Sequence, residues 1–490
     1  MAGAHLAVTI EVGTGTYWVP GTWRDLSDRM LSWTVTGGFA QPWMPPLRWQ
    51  PLRATVTLDN SDRALDPRST TSTYYDSTLG GLNIRPGSPV RIKIDTIGLF
   101  YGQLDDLPPT DTRSPSTKVT ITATDGTKAL DRARVTPYAV AAGAGESVVD
   151  RLIRLAEAAN WPAGMRSFDT EPDVTLQATT LEGSIWKQMQ LTAESGGGYI
   201  FLDQATSPGA LLYRARSYDA TVSVARYWSN QNTATKGITT GIRQSSGLGE
   251  VRNQVRYQRV SGAEQLVEDT DSIDFLGIAD LSRTDLICED DTTVADLAAI
   301  ALSVAPKARP QIIEFSADTA VGSWQNEMKY SRIGDRIELI EEQRDRSNTV
   351  IRTITQESFI RSAKWSGTRM TAAGLFHIKA TFGIQPSWAW DALTVGSTTK
   401  GVLGQNVTLP TGYGTTFSGR QPFATNDVLE AAELNSLMDM RWQVFASATA
   451  RDSAYSLVAP ISGTHPIAIL LDTGIVEVWD GSQWVPMAEV

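Results

Sequence analysis

The sequence has little of what secreted, redox-active and metal-binding proteins use. Its 490 residues include a single cysteine, Cys288, which excludes an internal disulfide framework and a zinc site built from several cysteines. We therefore expect the chain to fold in a reducing compartment. The N-terminus has no basic start followed by an apolar core, and no window approaches about 18 consecutive apolar residues. Neither secretion nor a membrane-spanning segment is expected.

The chain also lacks a surplus of basic residues. Its 43 Lys and Arg face 54 Asp and Glu, which gives a net charge of -11. A chain-wide basic surface that would hold a nucleic-acid backbone is disfavoured, because that binding depends on counterions displaced by Lys and Arg. Hydrophobic residues at 41% provide enough apolar material for folded cores. The length predicts about three domains.

Residues 1–138 have the alternation of a β domain. In PVRIKI (89–94) and KVTITAT (118–124), apolar residues alternate with polar ones, which places one face of each strand in a core and the other in water. Segments rich in Pro and Gly, such as RPGSP (85–89), separate these runs because they cannot continue a strand ladder. We predict a barrel or a sandwich here.

Residues 139–222 change to a small α/β domain. Ser147 and Asp150 have the spacing of a capping box ahead of an apolar helical stripe. A second helix, about 182–194, is predicted to stop at a run of glycines, and YIFLDQATSPGALLYRAR (199–216) then predicts a hairpin.

Residues 223–385 return to strand patterns and predict a second β domain with one inserted helix. That helix has a capping box at Thr293 and Asp296, carries apolar residues at helical spacing, and stops at Pro306.

The remaining residues are predicted to be a connector and a small module. Residues 386–422 are rich in Gly, Thr and Ser and predict an extended connector. Residues 423–490 predict a helix, 426–440, followed by a β-meander. This module has few apolar positions and can form only a marginal core. We therefore expect it to bury more surface by oligomerisation. The fold class is therefore mainly β with an α/β insertion: two β-barrel-like or sandwich domains, a small helix-plus-hairpin domain, and a C-terminal helix-plus-meander module.

Residues with catalytic or metal-binding potential form no recognisable pattern. The three histidines are isolated in sequence, and His377 lies on the polar face of its predicted strand, which favours a surface or interface role. The acidic run from Glu268 to Asp274 fits a calcium loop poorly, because Ile273 takes a position that needs an oxygen ligand. A solvated acidic loop is the favoured interpretation. No catalytic residue, cofactor or metal is predicted, and we expect the protein not to be an enzyme.

The 15 tryptophans could stack on sugars, but their spread over every segment is more typical of cores and interfaces. Trp479 and Trp484 are the exceptions, because they flank an Asp480-Gly481 turn in the last meander. We predict that they contact a partner or a receptor. A sugar-binding protein or a glycoside hydrolase stays open as the alternative, since sequence spacing does not reveal carboxylates that folding brings together.

Three stretches in order resemble the minor tail proteins of siphophages that infect actinobacteria, the group related to the tail hub of long-tailed phages. The first is ATVTLDNSDRALDP followed by RPGSPVRIKI and LFYGQLDD, and the second is IWKQMQLTAESGGGYIFLDQATSPGALLYRAR. The third is SIDFLGIADLSRTDL with its capped helix, then FHIKATFGIQPSWAWDALTVGSTTKGVLG. The family's Tyr-Gly-Arg turn is replaced by Phe275–Ile278. The C-terminal PIAILLDTGIVEVWDGSQWVPM is also similar to small terminal modules of phage structural proteins.

The resemblance implies a structural virion protein without catalysis, located at the distal tip of the tail and made in the host bacterial cytoplasm. It implies a ring, commonly a homotrimer, that caps or extends the tail tube and anchors host-attachment proteins. Its partners would be other tail proteins, such as distal tail, tape measure and receptor-binding proteins, with contact to the host cell surface open. An acidic ring would suit passage of genomic DNA without specific binding. The alternative becomes a tail protein that binds or hydrolyses host-wall sugars.

Overall fold

A computed structural model gives the fold of the chain. It describes residues 6–40, 46–108, 118–135, 141–170, 174–203, 208–215, 217–231, 236–245, 251–305, 311–319, 325–370 and 375–387, and four strand segments within 442–486. The chain divides into two units, Met1–Trp390 and Asp391–Val490. The finer boundaries at 138, 222 and 422 remain predictions.

The alternating runs near the N-terminus form strands, as predicted. In PVRIKI the side chains of Val90, Ile92 and Ile94 are buried, while those between them are partly exposed. The elements of this part are β1 (Leu6–Gly13), β2 (Trp23–Asp25), β3 (Met30–Phe39), β4 (Trp49–Asp59), β5 (Tyr75–Asp76), β6 (Gly81–Leu82), β7 (Pro89–Ile94), β8 (Ile97–Asp106), β9 (Lys118–Asp125), α1 (Thr127–Arg132) and β10 (Arg134–Val135).

The predicted α/β region contains both expected helices and the hairpin. Ser147 caps the first helix by accepting a hydrogen bond from the Asp150 backbone N–H at 3.0 Å. The second helix starts later than predicted, because Ser184 is its cap. The elements are β11 (Glu146–Ser147), α2 (Val148–Ala158), β12 (Arg166–Phe168), β13 (Thr175–Leu176), β14 (Gly183–Ser184), α3 (Ile185–Ser195), β15 (Tyr199–Asp203), β16 (Ala210–Arg214) and α4 (Tyr218–Thr221). Strands β15 and β16 pair antiparallel, and β12 adds parallel to β16.

Strands dominate the region after residue 222, and two short helices accompany the predicted one. The elements are β17 (Arg226–Ser229), β18 (Gly237–Ile238), β19 (Gly241–Ser245), β20 (Gln254–Arg259), β21 (Gln265–Glu268), α5 (Thr270–Leu276), β22 (Asp280–Leu286), α6 (Asp291–Val304), β23 (Gln311–Asp318), α7 (Gln325–Tyr330), β24 (Arg336–Arg344), β25 (Val350–Arg369) and β26 (Leu375–Pro386).

Two sequence predictions in this region are wrong. The cap of α6 is Asp290, whose carboxylate accepts a hydrogen bond from the Thr293 backbone N–H at 2.6 Å; Thr293 is not the cap. The acidic run is not a loop, because Asp269 caps the helix α5. In both cases an aspartate three residues before the bonded amide satisfies the helix start, and a longer helix results.

Eight antiparallel strands form a closed barrel in the order β3-β4-β9-β8-β7-β1-β26-β25, with β25 returning to β3. Six of these strands come from the N-terminal 125 residues, and two come from the stretch after residue 349. The barrel therefore closes only when distant parts of the sequence meet.

The strands β25 and β26 also belong to a second closed arrangement. There the order is β17-β24-β25-β26-β23-β19, and β18 pairs with β17. The segment 237–245 connects the two edges: the Thr239 N–H donates to Ser229 O at 2.9 Å, and the Thr240 N–H donates to Ser316 O at 2.7 Å. Two barrel-like domains thus share two long strands, which confirms the predicted fold class.

Aromatic side chains fill the second barrel. The Trp228 ring lies 5.0 Å from Phe315, Phe315 lies 5.1 Å from Phe382, and Trp365 meets Phe382 edge-on at 5.1 Å. All four are buried. Tilted and edge-on pairs at these distances are the favoured aromatic geometries, so this barrel has a packed interior.

Residues 251–305 form a lobe with its own small core. Strand β20 pairs with β21 and β22, and α6 packs across them through Val255, Leu286, Val294 and Leu297. Helix α5 contributes no buried residue to this core.

The C-terminal unit has a four-stranded sheet made of β27 (Trp442–Phe445), β28 (Ile467–Leu470), β29 (Val476–Trp479) and β30 (Trp484–Pro486). The last three strands form the predicted meander, and β27 adds parallel to β28. The predicted helix 426–440 and most of the predicted connector lie outside the described residues. Among the helices that are described, none is long and apolar enough to cross a membrane.

Candidate assembly surface

Trp479 and Trp484, the predicted contact residues, are paired in the structure. They are register partners across β29 and β30, at the strand ends that the Asp480-Gly481 turn joins in sequence. Paired positions of an antiparallel ladder lie close together, so the two residues form one feature of the sheet. Their contact with a partner or a receptor remains a prediction.

The other tryptophans whose side chains the structure describes belong to the interior of the protein. Six of them are buried, and two are partly buried and pack against the core. The six are Trp33, Trp49, Trp161, Trp186, Trp228 and Trp365, and the two are Trp18 and Trp23. For these residues the expectation of a core role is confirmed.

A small cavity lies where β15 and the segment before β24 cover one end of the first barrel. Trp49, Leu52 and Trp365 line it together with the polar side chains of Asp203 and Arg332. Its volume is ≈ 30 Å³, enough for one or two water molecules, whereas ligand pockets span about 300–1,000 Å³. This cavity has no room for a sugar ring.

A buried ion pair joins the α/β region to the strands that the barrels share. Arg361 on β25 pairs with Asp219 of α4, and both side chains are almost fully excluded from solvent. The guanidinium also donates to Gln385 Oε1 at 2.9 Å and to the Tyr199 hydroxyl at 3.1 Å. That hydroxyl donates to Asp219 at 2.7 Å. Each charge therefore has several partners, as a buried ion pair requires.

Glu194 makes a second junction between distant segments. This nearly buried carboxylate at the end of α3 accepts from Arg48 at 2.8 Å and from Arg283 of β22 at 2.6 Å. One helix is thus tied to the start of β4 and to the lobe.

Asp125 and Cys288 are two further titratable side chains inside the protein. Asp125 is fully buried, and burial raises the pKa of its carboxyl to about 6 although it accepts hydrogen bonds from Thr127, Leu52 and Trp49. Burial also raises the pKa of the Cys288 thiol to about 12, and its sulfur lies 3.1 Å from the carbonyl of Ser195. A protonated, enclosed thiol is a poor nucleophile, so Cys288 acts as a core residue.

His377 forms a hydrogen-bonded pair with Asp318 of the neighbouring strand β23, and Lys379 lies 3.6 Å from the same carboxylate. The histidine is partly exposed on the sheet, as expected for a surface or interface residue. Within the ranges that the structure describes, no group of three or more His, Cys, Asp or Glu is placed to hold a metal ion.

The most exposed large apolar side chain among the described residues, Phe275, belongs to α5; this helix and the turn after it, residues 269–280, are called the knob. Phe275 is 86% exposed and Ile278 is 65% exposed. The knob is capped at both ends: Asp269 accepts from the Ser272 N–H at 3.1 Å, and Gly277, at φ +80°, ends the helix. The exposed aromatic ring therefore stands on an ordered element.

Asn253, which is buried, holds the knob on the lobe. Its amide donates to the Gly277 carbonyl at 2.8 Å and accepts from the Ala279 N–H at 2.7 Å. Acidic residues precede the apolar ones along the helix, and the carboxylates of Asp271 and Asp274 have no cationic partner among the residues that the structure describes. The knob thus combines apolar and acidic surface.

A second exposed apolar site lies at the tip of the β24–β25 hairpin, residues 344–352, which we call the tip. Ile351 is 66% exposed and Val350 is exposed beside it. The pairing register of β24 and β25 shifts at this point, and Ile351 is the extra residue of a β-bulge. A bulge redirects the side chain of its extra residue. The tip also carries Arg344, Arg346 and Arg352, all exposed.

Comparison with solved structures identifies the fold. A tail protein from Neisseria meningitidis MC58 aligns with a TM-score of 0.51 and 12% sequence identity, over 78% of this chain and 96% of that one. The 43 kDa tail protein of prophage MuSo2 from Shewanella oneidensis aligns with a TM-score of 0.51 and 12% identity, over 79% of this chain and 100% of that one. The chain has the fold of these tail proteins. No family model matches the sequence, and no curated protein does.

The tail-protein fold agrees with the part of the resemblance that concerns architecture. The two solved structures come from Neisseria and Shewanella, so the expected actinobacterial type remains a prediction. The knob coincides with Phe275–Ile278, where the sequence departs from the family's turn. The exposure of the knob was not predicted from the sequence. The signal that could have predicted it is the group of apolar residues directly after the acidic run.

Proposed function

We propose that the chain is a structural protein of a long-tailed bacteriophage virion and forms a homotrimeric hub at the tip of the tail. The observation that supports this most is the tail-protein fold, which spans 96% and 100% of the two solved chains. The hub caps or extends the tail tube and holds host-attachment proteins. It is made in the cytoplasm of the host bacterium.

The architecture is consistent with a scaffold. The two barrels share β25 and β26, and the Arg361–Asp219 pair fixes the α/β region to them. These buried connections make the Met1–Trp390 unit rigid. The net charge of -11 suits a ring through which DNA passes without adhering. Distal tail, tape measure and receptor-binding proteins are the proposed neighbours.

The C-terminal unit is proposed to project outward and to trimerise or bind a partner through Trp479 and Trp484. Tryptophans are enriched at the centres of protein interfaces because each buries a large area. Replacing both residues by Ala should weaken attachment of the partner and leave the Met1–Trp390 unit folded.

The oligomeric state of the purified full chain tests the proposal. Sedimentation velocity and negative-stain microscopy should give three copies in a ring, and a monomer at the highest soluble concentration would contradict the trimeric hub. In virions, an antibody against residues 423–490 should label the tail tip. Incubation with host cell wall should release no soluble sugar; release that a single carboxylate substitution abolishes would support the hydrolase instead.

A further inference from the structure

We propose that the knob of one copy of the chain binds the tip of the next copy, and that this contact closes the ring. The inference rests on the proposed function, because it names the surfaces through which the copies of the hub meet. It is carried by the exposed apolar side chains at 269–280 and 344–352 and by the opposite charges around them.

The knob and the tip do not cover each other within one chain. Phe275 is 86% exposed and Ile351 is 66% exposed, so the two side chains are not packed against each other. Grouped exposed apolar residues mark interaction sites, and each surface has two of them: Phe275 with Ile278 at the knob, and Ile351 with Val350 at the tip. None of the described residues of the same chain covers them, so we assign their burial to a second copy.

Charge favours a second copy as the occupant. The knob carries Asp271 and Asp274 without a cationic partner in the described part of the chain, and the tip carries Arg346 and Arg352 without a carboxylate partner there. Arginine forms strong paired hydrogen bonds with carboxylates, especially next to apolar surface that excludes water. The two surfaces are therefore complementary in both charge and apolar character.

Both surfaces are ordered before binding. Asn253 and the two caps fix the knob. At the tip, the Asp345 carboxylate accepts from the N–H groups of Ser347 and Thr349 at 2.9 and 2.8 Å, which fixes the turn. Binding then costs less conformational entropy than it would if either surface had to become ordered first.

The contact joins two different surfaces and is therefore heterologous. A heterologous contact produces a ring when its rotation closes and a filament when it does not. Each copy in a closed ring uses its knob once and its tip once, which matches one set of surfaces per chain.

Engineered disulfides test this contact directly in the full chain. The only native cysteine, Cys288, is buried and does not compete. With Phe275→Cys and Ile351→Cys in the same chain, mild oxidation should give covalent dimers and then a closed trimer on a non-reducing gel. The matched control is Val19→Cys with Ile351→Cys, because Val19 is 69% exposed but lies outside the knob. The control should not form the closed trimer.

Charge reversal adds a second readout. In the Phe275→Cys, Ile351→Cys background, Asp271→Arg with Asp274→Arg should slow cross-linking at least about tenfold through like-charge repulsion. Adding Arg346→Asp and Arg352→Asp should restore the rate. Thermal unfolding should shift only slightly, because none of these side chains is buried and only Asp271, in the first turn of α5, interacts favourably with a helix dipole.

The outcomes separate the two proposals. If the wild-type chain is a trimer and the double-cysteine variant cross-links no faster than its control, the knob–tip contact is wrong and the hub stands. Cross-links through position 275 alone would show a symmetric contact and would also overturn it. A wild-type chain that is always monomeric overturns both the hub and the contact.

Discussion

The interior of the fused barrels and the knob of the 251–305 lobe use apolar residues in opposite ways. In the barrels the large side chains point inward, where Trp228, Phe315 and Phe382 pack together, and the buried Arg361 is paired with Asp219. The lobe has a small core, and it presents Phe275 and Ile278 to solvent. The barrel interior serves internal stability, whereas the knob, like the tip at the end of β24 and β25, offers apolar surface, so substitutions in the interior and in the knob should have different effects.

Breaking the buried ion pair should have the largest effect. Asp219→Ala leaves the Arg361 guanidinium buried without its carboxylate, so the free energy of unfolding should fall by about 3–5 kcal/mol. Chemical denaturation of wild type and variant measures the loss. The control is Asp62→Ala, which removes the exposed partner of Arg29 and should cost under about 1 kcal/mol. Equal losses would show that burial of the pair does not matter.

The small core of the lobe should be the next most sensitive. Leu297 on α6 is 4% exposed and packs against β20 and β21. Leu297→Ala should destabilise the lobe by about 2–4 kcal/mol through lost contacts and a cavity. The rate of amide hydrogen exchange should increase mainly in residues 251–305, because the core of the lobe is separate from that of the barrels. An equal increase across β25 and β26 would mean that the two regions unfold together.

The sequence predicted the strands better than their arrangement. PVRIKI forms a strand with the expected buried face because alternation is a local signal. Sharing of β25 and β26 by two barrels depends on pairing between residues more than 300 positions apart, such as Val35 with Trp365, which no local pattern encodes. Trp479 and Trp484 were predicted as contact residues from composition and a turn, and that prediction is untested. The knob needed the fold, since only packing reveals that none of the described residues covers Phe275.

Ionisation of Asp125 should make the barrel less stable as pH rises. Its pKa is about 6 in the folded chain against 3.8 for an ordinary aspartate, so the folded state binds the proton more tightly. The stability from this group is fully present below pH 4 and is lost as pH rises through about 6, by up to about 3 kcal/mol. Chemical denaturation of the wild type and of Asp125→Asn between pH 4 and 7 tests this. The difference between their free energies of unfolding should change with pH. A constant difference would show that the carboxyl is ionised throughout.

The smallest effect on stability is expected for substitution of Phe275, the most exposed of the large apolar side chains that the structure describes. Phe275→Ser removes an aromatic ring that is 86% exposed on a helix without buried residues, so the free energy of unfolding should change by less than about 0.5 kcal/mol. Phe382→Ser, inside the second barrel, is the matched control and should cost at least about 3 kcal/mol. Thermal and chemical denaturation of the two variants compare the same change in the two regions. A loss above about 1 kcal/mol for Phe275→Ser would place the ring against its own chain and remove the reason to assign it to a partner. A near-zero loss means that folding does not require this ring, so its presence at the end of a capped helix points to contact with another molecule.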